Sequence, residues 1–330
     1  MVSTPVRIAL RDAIAEEMRK NLNIFLIGEE VGEYEGAYKV SQGLLAEFGP
    51  KRIVDTPITE AGFAGLAIGA AMGGLYPIVE FMTWNFAFQA MDQIINSAAK
   101  THYMSGSKIN IPIVFRGPNG SALQVAAQHS HDFSSLFSNI PGLIVISPYD
   151  SADAKGLLKS SIRNSNPVIF LEHELLYGES FEVPEIEYST PIGLASVKLA
   201  GNDVTITAFS RGVKLALEAA KILKNNNVSA EVIDLRSLRP LDFKTIIESV
   251  KKTNRLVCVE EGWLSSGVGA EITSSITEKA FYYLDAPPKR VACEDVPLPY
   301  SSNLESLSLP NKESIVKSCM NLLNLKINNL

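Results

Sequence analysis

The stretch RIVDTPITEAGFAGLAIGAAMGGLYPIVEF, residues 52–81, reads as a strand, a helix and a second strand. Its ends, 52–54 and 77–81, are short apolar runs without the alternation of a half-exposed strand, the pattern of strands buried in a parallel sheet. Between them Thr56-Pro57-Ile58-Thr59-Glu60 leads into a helical segment whose Gly62, Gly65, Gly69, Gly73 and Gly74 admit close packing against neighbouring backbone. Thr59 suits the cap of that helix, and Glu60 falls in its first turn, where the helix dipole favours a carboxylate.

The same alternation extends to both sides. Short apolar runs at 24–27, 111–115, 143–146 and 168–171 are expected as further buried strands. Near the start, Thr4 and Pro5 suit a helix N-cap and first position, and Val6, Leu10, Ala13, Ile14 and Met18 then share one helical face. From about 178 to 193 neither period holds, and Glu179, Glu182, Pro184, Glu185, Glu187 and Pro191 mark a linker, placed at 181–193. Beyond it the alternation restarts, with strands at 204–209, 231–235 and 256–260 and helices at 213–223, from Asp242 and from Val268. The expected fold class is α/β: an N-terminal domain, 1–180, with a parallel sheet covered by helices, and a smaller α/β domain, 194–330.

Composition narrows the function. The 330 residues are 46% hydrophobic and 20% charged with a net charge of −6, so a large core is available and no basic surface invites nucleic acid or an anionic membrane. No apolar run reaches the roughly 18 residues of a membrane span. The start of the chain lacks a signal-peptide pattern, so the expected location is cytoplasmic, or the mitochondrial matrix for a mature organelle form. Cys258, Cys293 and Cys319 are odd in number and far apart, which suggests neither a disulfide framework nor a zinc site.

In an open parallel sheet, ligands bind beyond the carboxyl ends of the strands. There the sequence gathers Glu29 and Glu30 after the first strand, Thr59 and Glu60 after the second, Phe86 and Gln89 after the third, and His129 after the fourth. Glu60 is open to two readings, ordinary helix-start chemistry or a working carboxylate. His129, in Gln128-His129-Ser130-His131-Asp132, is open to three: acid–base chemistry, a structural loop histidine, or a metal ligand. Only His102 and His173 remain as further histidines, which disfavours a two-metal hydrolase. No Gly-x-Gly-x-x-Gly or Gly-Lys-Ser/Thr loop is present, and Gly267-Val268-Gly269 after a strand is a weak nucleotide signal.

Several segments resemble the beta subunits of the pyruvate dehydrogenase component of 2-oxo acid dehydrogenase complexes, in the transketolase-like family. They include Gly28-Glu29-Glu30-Val31, Gly36-Ala37-Tyr38-Lys39-Val40, residues 55–65, 80–106, 115–120 and 126–130, and in the second domain 231–236, Glu260-Glu261-Gly262-Trp263 and 284–287. The resemblance implies a pyrimidine-binding domain followed by a transketolase C-terminal-type domain, in an alpha-2-beta-2 heterotetramer with thiamine diphosphate between alpha and beta chains. It further implies oxidative decarboxylation of pyruvate and acetylation of the lipoyl domain of a dihydrolipoyl acetyltransferase core, an activity needing the alpha subunit.

By the same resemblance, Glu60 hydrogen-bonds the cofactor's pyrimidine ring nitrogen and Phe86 and Gln89 line the aminopyrimidine pocket. Ile58 helps hold the cofactor bent, Glu29 joins a path coupling two active sites, and His129 serves transfer to lipoamide. A potassium ion is implied on main-chain oxygens of Ile113, Ser161, Ile162, Asn164 and Asn166. Magnesium ligands are expected from the alpha subunit, because the family's Gly-Asp-Gly segment with later paired asparagines does not occur in this sequence. An apolar face near Trp84 and Phe86 is expected to meet that subunit. His131-Asp132 departs from the family's usual pair and alters the expected lipoyl entrance. The alternatives are a branched-chain 2-oxo acid or acetoin dehydrogenase beta subunit, a non-catalytic docking subunit, or a metallohydrolase.

Overall fold

The structure is a computed structural model that describes residues 1–326. The chain divides into two compact units, one of Met1–Asn119 with Leu136–Ile192, the other of Gly120–Ser135 with the residues from Gly193 onward.

Strands of the first unit are β1 (Val2–Pro5), β2 (Ile24–Gly28), β3 (Ile53–Asp55), β4 (Tyr76–Glu80), β5 (Val114–Pro118), β6 (Ile144–Ile146), β7 (Val168–Glu172) and β8 (Ser180–Val183). Six of them run parallel in the order β6-β7-β5-β4-β2-β3. All six apolar runs read from the sequence therefore form strands, displaced by at most a few residues. Parallel neighbours need a crossover, and the helices that supply it include Val6–Lys20, Glu60–Met72 and Ser151–Ile162. The first of these buries the expected face of Val6, Leu10, Ala13, Ile14 and Met18 and packs against Ser151–Ile162.

Three local expectations are corrected. Thr4 does not cap the first helix: residues 2–5 form β1, antiparallel to β8 with Val2 opposite Val183, and the helix begins at Val6. Both strands are short and mostly exposed, so neither β1 nor β8, which lies in the stretch read as having no period, carries a core-facing pattern. The glycines of the 60–72 helix are not a packing seam within this unit. Gly65 meets Gln93, but nothing lies within 4 Å of a Cβ added at Gly69 or Gly74. Trp84, finally, is no partner-facing residue. It is fully buried, with its ring 5.3 Å from Phe81 and 5.0 Å from Phe137, and Phe81 stacks on Phe115. Burying one such ring outweighs several surface contacts, which is why this aromatic cluster anchors the core.

The second unit contains β9 (Ser196–Leu199), β10 (Val204–Ala208), β11 (Ala230–Asp234), the short β12 (Ser237–Arg239), β13 (Leu256–Trp263) and β14 (Lys289–Cys293). Its five-stranded sheet has the order β14-β13-β10-β11-β9, parallel except for the antiparallel edge strand β9. Helices Arg211–Asn225, Phe243–Thr253, Val268–Ala280 and Lys312–Leu322 accompany it. The three cysteines are buried free thiols. Among the described residues no helix is long and apolar enough to cross a membrane.

Candidate active site

At the carboxyl ends of β2 and β3 the backbone is tied so that two carboxylates converge. Gly28 ends β2, and a Cβ there would stand 2.5 Å from the carbonyl oxygen of Glu80, so only glycine lets β2 lie this close to β4. Asp55, ending β3, accepts the N–H groups of Gly32 at 2.6 Å and Glu33 at 2.9 Å, and Thr56 N–H donates to the Gly28 carbonyl at 3.0 Å. This clamp fixes the turn that carries Glu29 beside the start of the 60–72 helix. Sequence reasoning did not single out Asp55 for that task.

Glu60 is the first residue of that helix and is 2% exposed. Thr59 makes no side-chain cap. Its hydroxyl lies against Gly62 instead, 2.7 Å from where a Cβ would stand. Helix-start chemistry alone therefore does not account for a buried Glu60.

The carboxyl group of Glu29 faces that of Glu60. Burial first, and the facing Glu60 second, push the Glu29 carboxyl up to about 7. Glu29 therefore keeps a proton well above the pH at which an ordinary carboxylate loses it. One oxygen of each, Glu29 Oε1 and Glu60 Oε2, is buried with no hydrogen-bond partner among the described residues. Such an atom costs free energy unless a ligand satisfies it.

The shift of Glu29 has a sign that can be tested. Between its ordinary value of 4.5 and about 7 the folded chain keeps a proton that the unfolded chain releases, so this contribution to stability is present below 4.5 and lost as pH rises through 7. Glu29→Gln removes it. The urea midpoint of the parent chain is expected to fall more steeply from pH 4.5 to 7 than that of the variant; parallel slopes would contradict the assignment.

Other first-unit residues named from the sequence differ in exposure. Ile58 is 82% exposed, and Phe86 and Gln89 lie on the helical segment Trp84–Ala90, Phe86 half-buried and Gln89 exposed. Behind the strand ends is a buried ionic network that sequence reading missed. The Arg116 guanidinium donates to both Glu172 oxygens at 2.6 and 2.5 Å and also to Glu80, and Tyr177 O–H donates to Glu172 at 2.7 Å. The bidentate geometry satisfies charges that could not otherwise be buried.

The residues implied to hold potassium cluster at the end of the Ser151–Ile162 helix and before β5 and β7. The Ile113 carbonyl accepts Val168 N–H at 2.9 Å, whereas the Ser161 carbonyl accepts both Asn164 N–H, at 3.1 Å, and Arg163 N–H. Helix-end carbonyls carry partial negative charge and suit a cation.

His129 belongs to the second unit, exposed on the short turn Ala127–His129. In the same loop the His131 ring packs 4.8 Å from Trp263 and 4.7 Å from Phe133, and burial lowers its pKa. Asp132 is buried and accepts Ser134 N–H at 2.8 Å. Among the described residues no group of three or more His, Cys, Asp or Glu is placed to hold a metal ion, so nothing favours the metallohydrolase reading. The weak glycine signal also resolves. Glu260 accepts Val268 N–H at 2.8 Å and Gly269 N–H at 3.0 Å, so a carboxylate of the chain itself occupies the anion position of that helix. A Cβ at Gly267 would stand 2.5 Å from Glu260 Oε1.

Residues 3–179 match the family described as transketolase, pyrimidine binding domain, and residues 193–315 match transketolase, C-terminal domain. A solved structure titled split gene transketolase, inactive beta4 tetramer, superposes with a TM-score of 0.80 over 98% of this chain and all of that one, at 24% identity, a likeness of fold. The pyruvate dehydrogenase E1 component subunit beta of Rickettsia conorii is 60% identical over 313 residues, 95% of this chain and 96% of that one. The subunit of the same name from Rhizobium meliloti is 59% identical over 96% of this chain and 69% of its own length. The mitochondrial beta-1 subunit of Oryza sativa is 58% identical over 95% of this chain and 85% of its own length. Matched along nearly its whole length by these relatives and by both domain families, the chain belongs to the pyruvate dehydrogenase E1 beta subunits, within the thiamine-diphosphate-dependent transketolase group.

Proposed function

We propose that this chain joins an alpha subunit in an alpha-2-beta-2 heterotetramer that decarboxylates pyruvate oxidatively and acetylates lipoyl groups of an acyltransferase core. The observation that carries the reading is the buried Glu29–Glu60 pair with its unpartnered Glu60 oxygen at the strand ends. That orphaned oxygen fits a heteroaromatic ring nitrogen able to share its proton. Thiamine diphosphate, when bound, supplies the thiazolium that stabilises negative charge on the 2-oxo carbon as carbon dioxide leaves.

Glu60 would hydrogen-bond the pyrimidine ring, and Glu29 would keep a proton beside it. Ile58 would support the bent cofactor, Phe86 and Gln89 would line the pyrimidine, and His129 would handle the proton in transfer to the lipoyl group. The domain assignment that goes with this reading is 1–180 and 194–330. Magnesium and the diphosphate would be held by the alpha subunit, and potassium by the main-chain oxygens at 113 and 161–166. The compartment would be bacterial cytoplasm or mitochondrial matrix.

Substrate choice is tested by mixing the chain with its alpha subunit, thiamine diphosphate and magnesium and assaying two substrates. Pyruvate is expected to turn over at least about tenfold more efficiently than 3-methyl-2-oxobutanoate, a discrimination within reach of one pocket contact. A preference for the branched acid would move the chain to the branched-chain enzymes.

A further inference from the structure

The loop 120–135, which carries His129, has a backbone that does not hold itself. Gln124 and Ala126 are not glycines yet lie in left-handed backbone at φ 52° and 63°, conformations that persist only when surroundings impose them. Two carboxylates distant in sequence supply that constraint. Glu261, at the end of β13, accepts both the N–H and the hydroxyl of Ser121 on Oε2, at 3.1 and 2.9 Å, while Arg211 donates to its Oε1 at 2.6 Å. Glu305, on the helix Ser302–Ser308 and 7% exposed, accepts Gln124 N–H on Oε1 at 3.0 Å. Downstream the turn is closed by the Ser130 hydroxyl on the Ala126 carbonyl at 2.9 Å and by the His131 ring against Trp263.

We propose that Glu261 is a positioning residue for His129, fixing the loop through Ser121 as Glu305 fixes it through Gln124. The geometry suits that task better than ordinary packing. Hydrogen bonds from a neutral donor to a carboxylate are stronger than neutral pairs, and these join a strained loop to a regular strand end and a helix. Glu261 uses both oxygens as acceptors, so an amide there must turn its NH₂ toward a donor. At Glu305 one oxygen accepts one N–H, a bond that an amide can keep. The inference rests on the reading of His129 as the group serving lipoyl transfer.

The test uses the assembled enzyme with its alpha subunit and cofactor. Two quantities are followed: amide hydrogen exchange across residues 121–132, and acetylation of a lipoyl domain relative to decarboxylation with an artificial electron acceptor. Glu261→Gln is expected to raise exchange in the loop and to lower lipoyl acetylation by about tenfold, more than decarboxylation falls, because misplacement of a working group by a fraction of an ångström has that effect. Glu305→Ala should show the same split, and Glu305→Gln should restore it to within about twofold of the parent. In a His129→Ala background, Glu261→Gln should add no further loss of transfer.

An additive loss in that background, or unchanged exchange in the loop, would overturn the proposal. If His129→Ala lowers both reactions equally, the reading of His129 fails, while loop exchange in Glu261→Gln still decides whether Glu261 is the anchor.

Discussion

Glu60→Gln, assembled with the alpha subunit, is expected to slow hydrogen–deuterium exchange at the thiazolium carbon of thiamine diphosphate by about two to four orders of magnitude, the range lost with a general acid–base group. The amide has the shape of the carboxyl and stands at the first turn of a helix whose packing it does not change, so assembly should be preserved. What it removes is chemical. A carboxyl group can give and take a proton at one oxygen, whereas an amide cannot, and the Glu60 oxygen in question is buried with no partner among the described residues. An amide at 60 would also donate to Glu29, which relieves the like-charge contact that helps keep a proton on Glu29. Two of the three reasons for Glu29 standing near 7 would be gone, leaving burial. Near-normal exchange in the variant would show that Glu60 is only a helix-start residue.

The parts legible in the sequence were those that burial writes into residue type. Runs such as Ile24 to Ile27 and Val168 to Leu171 are apolar throughout because both faces of a parallel sheet are covered, and every such run in the first unit became a strand. Exposed strands left no such mark. β1 and β8 are mostly solvent-facing, and β9 exposes Val197 and Leu199, so their pairing follows from backbone hydrogen bonds that no side-chain pattern announces. Glu60 and His129 were singled out as candidates by their place after strands. Asp55, Glu261 and Glu305 were not, since a carboxylate that accepts backbone N–H groups from a distant loop looks in sequence like any surface acid. Trp84 failed in the opposite sense: a large aromatic near the rim suggested an interface, and the core claimed it. Thr59 shows the limit of cap rules, because φ −160° and ψ 72° with Gly62 beneath leave its hydroxyl no amide to accept.

The chain without its alpha subunit is expected to bind thiamine diphosphate too weakly for calorimetry at micromolar concentrations and to decarboxylate no pyruvate. On the proposed reading, the first unit would offer the pyrimidine ring a carboxyl pair, a half-buried Phe86 and the amide of Gln89. Diphosphate carries the cofactor's negative charge, and the turn beyond β2 places Glu29, Glu30, Glu33 and Glu35 in one short segment of a chain with net charge −6. Unpaired anions there repel a diphosphate unless a cation intervenes. No Gly-Asp-Gly motif in this sequence brings magnesium to neutralise it. Apolar surface is exposed as well, with Ile58 at 82%, Leu66 at 60% and Phe88 at 51%, and covering it would add to the free energy of association. Affinity and turnover should therefore appear together when the subunits are mixed with magnesium, as linkage requires when one binding event completes the site for another. Micromolar binding by the lone chain, with turnover of pyruvate, would mean that it carries a diphosphate site of its own and that the cofactor is not shared between subunits.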